Sequence, residues 1–249
     1  MKKMKSSLLK LQSLLTAALW LLSFLPCGAQ GRSPMIMLNE RGSMPELYKD
    51  NAAAKIKLSE LKEQKHIYAL GPLSKLRGEI LILDSVPYEC RAHKGEVQLK
   101  SDWNEEAAFL VWSKVTKWKK IAVPPAVLSV ALLETWLASM TGGENFPLRH
   151  QFPFIIKGKF AHLGWHIVSV QDDGKPLTPQ KHREQRFHGM AKGVSAEIFG
   201  FYSPDDQGIF IAAGRKVHMH AKVGDYLVAH VEDFEPKLDS SLTLFVPAR

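Results

Sequence analysis

From Gly78 to the end, this chain is a succession of short apolar runs, each closed by a turn signal. "GEILILDSVPYECRAHKGEVQLK", "AAFLVWSKVTKW", "FPFIIKGKFAHLGWHIVSV", "VSAEIFGFYSP", "GIFIAAGRKVHMHAKV" and "YLVAHVEDF" are rich in β-branched and aromatic residues, and Asp-Ser-Val-Pro, Lys-Gly and other Gly- and Asp-containing stretches separate them. Such runs read as strands joined by turns. Two segments read as helix. "SMPELYKDNAAAKIKLSELKEQ" spaces Leu58 and Leu61 three apart with a start signal at Ser59, and "AVLSVALLETWLASM" opens after Pro124-Pro125 and stops at Gly142-Gly143. Many strands with few helices predict an α+β fold built on mixed or antiparallel β-sheets. There is no internal repeat and no low-complexity tract, and residues 142–150 are the best candidate for a sub-domain seam.

The first residues follow a different logic. Lys2, Lys3, Lys5 and Lys10 make a positive start, and Leu14 to Leu25 is almost wholly apolar for about a dozen residues, against the ~20 that a membrane-spanning helix requires. "CGAQ" follows, with Cys27 and Ala29 as the small residues that precede a cut after Ala29. The expectation is an export signal over residues 1–29, a mobile Met- and Pro-containing leader over 30–45, and a folded domain over 46–249. The mature protein would then be periplasmic or secreted and would meet a membrane only through its signal. Cleavage would lower the formal charge from +8 to +4, which suits a small anionic ligand and does not announce nucleic acid. It would also leave Cys90 without a cysteine partner, so packing, not a disulfide, must hold the fold. In "VPYECRAH", Cys90 reads as a buried structural thiol.

The chemistry concentrates in "RKVHMHAKVGDYLVAHVEDF". Side chains alternate across a strand, so His218 and His220 leave the same face. Neutral imidazole is a favoured zinc ligand, and three histidines leave a position open for substrate. Whether the third, His230, joins the others depends on the turn between them. A two-residue Gly224-Asp225 turn sets His230 opposite Met219, pointing away. A three-residue Gly224-Asp225-Tyr226 loop sets it opposite His220, with β-carbons ~4.5–5.5 Å apart. Local turn propensity favours the shorter form; a metal site requires the longer one or a bulge of equal parity.

Beyond these residues lies a broader resemblance. "LRGEILILDSVPYECRAHKGEV", "FPFIIKGKFAHLGWHIV" and "IFGFYSPDDQGIFIAAGRKVHMHAKVGDYLVAHVEDF" resemble, in this order, three stretches of the alpha-acetolactate decarboxylases, from roughly Met44 to Pro247. The resemblance implies an acetolactate-decarboxylase-like fold and a homodimer. It also implies a zinc (Zn2+) enzyme that turns 2-acetolactate, or a related 2-hydroxy-3-oxo acid, into acetoin and carbon dioxide. The family's three zinc histidines carry over onto His218, His220 and His230, and its glutamate in the "GE" step onto Glu79 as the proton donor. The family's arginine falls on His166, which would take over its anion-positioning role although histidine cannot fork onto a carboxylate as guanidinium does. The family's glutamate on a C-terminal tail has no counterpart before Arg249, and the loop before His230 is one residue shorter.

These departures keep a second function in view: a catalytically altered or inactive zinc-binding relative that recognises another small anionic ligand. The H-x-H…H pattern also resembles a plant- and prokaryote-conserved domain of DNA-associated proteins, but the export signal and the "GEILILD" and "GKFAHLGWH" matches argue against nucleic acid. Of the other histidines, His162 is expected near the site, on the face of His166. His66, His93, His150, His182 and His188 are expected to be solvated. Trp103, Trp112 and Trp118 read as core and sheet packing.

Overall fold

A computed structural model describes residues 37–141, 148 and 150–248. The expected export signal, the cut near Ala29, Cys27, residues 30–36 of the leader and most of the 142–150 seam lie outside these residues. The rest of the expected mobile leader is instead folded, with Asn39–Arg41 in a strand and Met44 opening a helix. In chain order the strands are β1 (Asn39–Arg41), β2 (Ile56–Lys57), β3 (Ile67–Pro72), β4 (Glu79–Leu83), β5 (Val86–His93), β6 (Glu96–Lys100), β7 (Glu106–Ala107), β8 (Leu110–Lys114), β9 (Trp118–Ala122), β10 (Phe152–Val168), β11 (Arg186–Tyr202), β12 (Val217–Val223), β13 (Leu227–Pro236) and β14 (Thr243–Pro247). The α-helices among the described residues are α1 (Met44–Lys49), α2 (Val130–Thr141) and α3 (Pro179–Glu184).

The strands form two six-stranded sheets, β1-β8-β3-β4-β5-β6 and β11-β12-β13-β10-β14-β9, with β2 and β7 as a separate pair. All of these ladders are antiparallel. The turns expected from sequence explain why. Leu83 pairs with Val86 across Asp84-Ser85, and His93 with Glu96 across Lys94-Gly95. All four turn residues have positive φ, as the tight turns that match strand twist require. In the second sheet β10 and β11 pair from Phe152↔Tyr202 to Val168↔Arg186. That pairing joins the ends of the β11-β12-β13-β10 run, so these four strands close into a ring.

Strand β4 lies between two apolar layers. Ile80 and Ile82 pack with Leu58, Leu73, Leu110 and their neighbours. Leu81 and Leu83 belong to the larger core, which the second sheet fills with Phe154, Phe160, Phe199 and Phe201. Period-two alternation therefore sends Glu79, in phase with Leu81 and Leu83, toward the second sheet. Cys90, paired with Glu79 on β5, is a buried free thiol, and burial raises its pKa to about 11.

The helices differ from expectation at their starts and ends. α1 stops at Lys49, and Asn51 and Ala52 follow with positive φ. The remainder of that expected helix is β2 and a 3-10 turn, Leu58–Leu61, flanked by Lys57 rather than begun at Ser59. Residues three apart eclipse on a 3-10 turn, so Leu58 and Leu61 share a buried face without an α-helix. α2 begins at Val130, not after Pro125. Asp233 Oδ1 accepts from Val130 N–H (2.8 Å) and Ser129 Oγ from Leu132 N–H (3.3 Å), which caps the first turn there.

Candidate metal centre and cavity

The β12–β13 hairpin takes the longer loop. Val223 pairs with Leu227, Ala221 with Ala229 and His220 with His230. Gly224, at φ +51°, supplies the left-handed turn of the three-residue connection. The preference of Gly-Asp for a two-residue turn is overridden, since a slip of one residue would turn every side chain of β13 to the other face. His218, His220 and His230 consequently meet. Their ring centroids are 5.0 to 5.5 Å apart, and one nitrogen from each lies within 4.8 Å of the others.

The nitrogens are arranged as donors to a cation. His220 Nδ1 lies 2.8 Å from the carbonyl oxygen of Ile80. A carbonyl only accepts, so Nδ1 carries the proton and Nε2 carries the lone pair. That Nε2 and His218 Nδ1 are buried and have no hydrogen-bond partner among the described residues. Buried polar atoms left unmatched are costly, and a metal ion held among the three rings would satisfy both. Burial is the largest influence on all three rings: it brings His218 down to about 4 and holds His220 and His230 well below the usual histidine range. The rings are therefore neutral, the form that ligates metal. The His220–Ile80 bond is the kind of outer contact that fixes a ligand's tautomer and orientation.

Glu79 reaches the same place from the first sheet. Its Oε1 accepts from Val168 N–H (3.0 Å), and its Oε2 lies 3.6 Å from His220 Nε2. Burial raises its pKa to about 8, against the opposing influence of the Val168 N–H and the Arg186 charge. His166 of β10 sits opposite His230 on one neighbouring strand and His188 on the other, its ring centroid 4.5 Å from that of His230. Its Nδ1 bonds to Glu232 Oε1 at 2.5 Å. Burial lowers the His166 pKa and the Glu232 bond opposes that shift.

Glu79, His166, His218 and His230 all face one cavity of about 580 Å³, whose wall also includes Tyr48, His182, Arg186 and Glu232. Sequence reasoning assigned none of the last four to a site. Glu232 is the extra residue of a bulge: Val231 pairs with Trp165 and Asp233 with Gly164, so Glu232 has no partner across the ladder. A bulge re-aims its side chain, and here it meets His166. The available signal was its place two residues beyond His230. Arg186 enters from the far end of the β10–β11 ladder and has no local motif.

His182, expected in solvent, is a correction. It belongs to α3 and lies half-buried against the cavity, with Nδ1 3.0 Å from Tyr48 Oη. Burial, then the charge of Arg186, lowers its pKa to about 4. His162 is corrected in the other direction: it is exposed, faces Glu235 and does not line the cavity. The β10–β13 ladder changes register twice between Phe160 and Trp165, which breaks the simple spacing from His166. His66, His93, His150 and His188 are exposed. Trp112 is buried, Trp103 packs beneath the first sheet, and Trp118 meets Tyr68 edge-on.

Comparison with known proteins agrees with this architecture. The family model for alpha-acetolactate decarboxylase matches residues 40–242. Among solved structures, the chain is similar to the alpha-acetolactate decarboxylase of Bacillus subtilis strain 168, with a TM-score of 0.66 and 19% identity over 85% of this chain and 86% of that one. A Staphylococcus aureus protein of unknown function, described as similar to alpha-acetolactate decarboxylase, gives the same four values. The acetolactate decarboxylase of Bacillus subtilis subspecies spizizenii gives a TM-score of 0.67 and 18% identity over 85% and 86%. A search of curated protein sequences finds no match. At such identities the solved structures speak for a shared fold.

Proposed function

The chain belongs to the alpha-acetolactate decarboxylase family, and from that premise we propose that it is a zinc-dependent decarboxylase converting 2-acetolactate, or a related 2-hydroxy-3-oxo acid, to acetoin and carbon dioxide. The observation that carries this reading is the clustering of His218, His220 and His230 with Glu79 beside them, at the wall of a cavity that Glu79, His218 and His230 line. Bound by the three imidazoles, zinc would supply Lewis-acid stabilisation for negative charge developing on oxygen.

The rest of the reaction asks for groups that this chain holds. The bond between the carboxylate carbon and the hydroxyl-bearing carbon breaks, and carbon dioxide departs. The electron pair stays behind, delocalised toward the neighbouring carbonyl oxygen. A proton must then reach the hydroxyl-bearing carbon from one side to give acetoin. Glu79, fixed by the Val168 N–H and aimed at the cavity, is the group placed to deliver it, and water restores the proton afterwards. His166, locked to Glu232, lines the same wall and would orient substrate there.

A second reading draws on that His166–Glu232 pair. A histidine held by a carboxylate where the family resemblance places an arginine suits an altered relative that binds another small anion. Incubating the zinc-loaded protein with racemic acetolactate separates the two: acetoin formation supports the decarboxylase, and its absence favours the altered relative. The N-terminal segment supports a further proposal, that the protein is exported and begins near Gln30. N-terminal sequencing of the exported form that found Met1 in place would sink it.

A further inference from the structure

A substrate that loses carbon dioxide must have its carboxylate held before the bond breaks, and His166 cannot do this with a fork of two donors. Arg186 can. It is the first residue of β11 and pairs with Val168, the residue whose N–H holds Glu79. That ladder position puts a guanidinium at the cavity wall near the proposed proton donor. Its Nε is buried without a hydrogen-bond partner among the described residues. Among the described residues its nearest carboxylate is Glu232 Oε1, 3.7 Å from Nη1, beyond hydrogen-bond reach and already bonded to His166.

The other two arginines that line this wall among the described residues are placed differently. Arg215 Nε is 3.2 Å from Glu134, and Arg183 is exposed. The charge of Arg186 bears on Glu79, His166, His182, His230 and Glu232 together, which marks its central position. A planar, permanently charged group with unused donors at the wall of a cavity can donate edge-on to a carboxylate.

We propose that Arg186 anchors the substrate's carboxylate beside the three histidines, supplying from β11 the anion contact that His166 does not make from β10. The proposal rests on the decarboxylase reading for the identity of the substrate, but not for the binding of a carboxylate. An ion pair present before and during bond breaking stabilises both states, so its loss should raise KM more than it lowers kcat.

The test uses the zinc-loaded full chain and its Arg186→Gln and Arg186→Lys variants. The calorimetric probe is 2-hydroxy-2-methylpropanoate, which has the carboxylate and hydroxyl but no ketone and so cannot react. Uncharged acetoin is the control ligand, with zinc content and circular dichroism as checks on the fold. We expect Arg186→Gln to bind the probe about tenfold to a hundredfold more weakly, since a charge-assisted bond is being removed. Arg186→Lys should be intermediate, and acetoin binding and zinc content unchanged. Should Arg186→Gln not fold, the Arg186→Lys variant alone decides by weakened probe binding with intact acetoin binding. Probe binding equal to wild type in a folded variant, parallel loss of acetoin binding, or no probe binding by the wild type would each overturn the anchor. The two readings fail separately. A wild type that makes no acetoin but binds the probe through Arg186 ends the decarboxylase and keeps the anchor. A wild type that makes acetoin with a KM indifferent to Arg186→Gln does the reverse.

Discussion

Glu79 reaches the site because of parity: one residue earlier or later on β4 and its carboxyl would enter the layer around Ile80 and Ile82. If it delivers the proton, Glu79→Gln keeps the shape and loses the donor. Turnover should then fall by about 10²- to 10⁴-fold with zinc content unchanged, and an undiminished rate would move the role to another group. His182 gives a prediction about stability. Burial holds its pKa at about 4 in the fold, against 6.5 for an ordinary histidine. Between these values only the unfolded chain takes up the proton, so the ring's contribution is full above pH 6.5 and is lost as pH falls toward 4. Urea midpoints at pH 7 and pH 5 should therefore differ more for the wild type than for His182→Gln; equal losses would refute the assignment. The three clustered histidines and Glu79 were legible in the sequence because a strand period, a motif spacing or a family match marks each. Arg186, Glu232 and Tyr48 were not, because a ladder partner some twenty residues away, a bulge and a distant helix bring them in.

Among the elements, the β12–β13 hairpin carries the most information per residue. Its three-residue loop runs against local turn preference, as three histidines on one face require, since a Gly224-Asp225 turn would point His230 away. The helices were less legible. Leu58 and Leu61 show the same spacing on a 3-10 turn as on an α-helix, and the start of α2 depends on Asp233, a residue far along the chain. Hairpin parity can be tested directly. Deleting Val228 keeps the three-residue loop but shortens the strand before His230 by one residue, which would bring His230 opposite Ala221, on the other face. Metal content should fall from one zinc per chain to near zero while the circular dichroism stays β-rich. Undiminished zinc in the deletion variant would show that His230 is not a ligand or that a bulge restores the register. Restoring an apolar residue at that buried position should restore the metal.

At the scale of the described molecule, sheet order was not readable from sequence, since β8 inserts beside β3 and β10 beside β13 by pairings between distant segments. What this order achieves is to seat the histidine cluster of one sheet on a strand of the other. His220 bonds to the Ile80 carbonyl of β4, and Glu79 of β4 accepts from Val168 of β10. A ligand that fixes His220 must therefore steady both sheets. Free zinc at about a thousand times its Kd adds about 4 kcal/mol to the folded state, and in a domain of this size about 2–4 °C accompanies each kcal/mol. Zinc should thus raise Tm by roughly 8–16 °C in the wild type and by little in His218→Ala, where two imidazoles bind far more weakly than three. The sharper readout is local. Hydrogen exchange should slow on zinc loading in β4 and β10 as well as in β12 and β13, because the contacts through Ile80 and Val168 tie these strands to the cluster. Protection confined to the β12–β13 hairpin would mean that the two sheets are not joined through the metal centre.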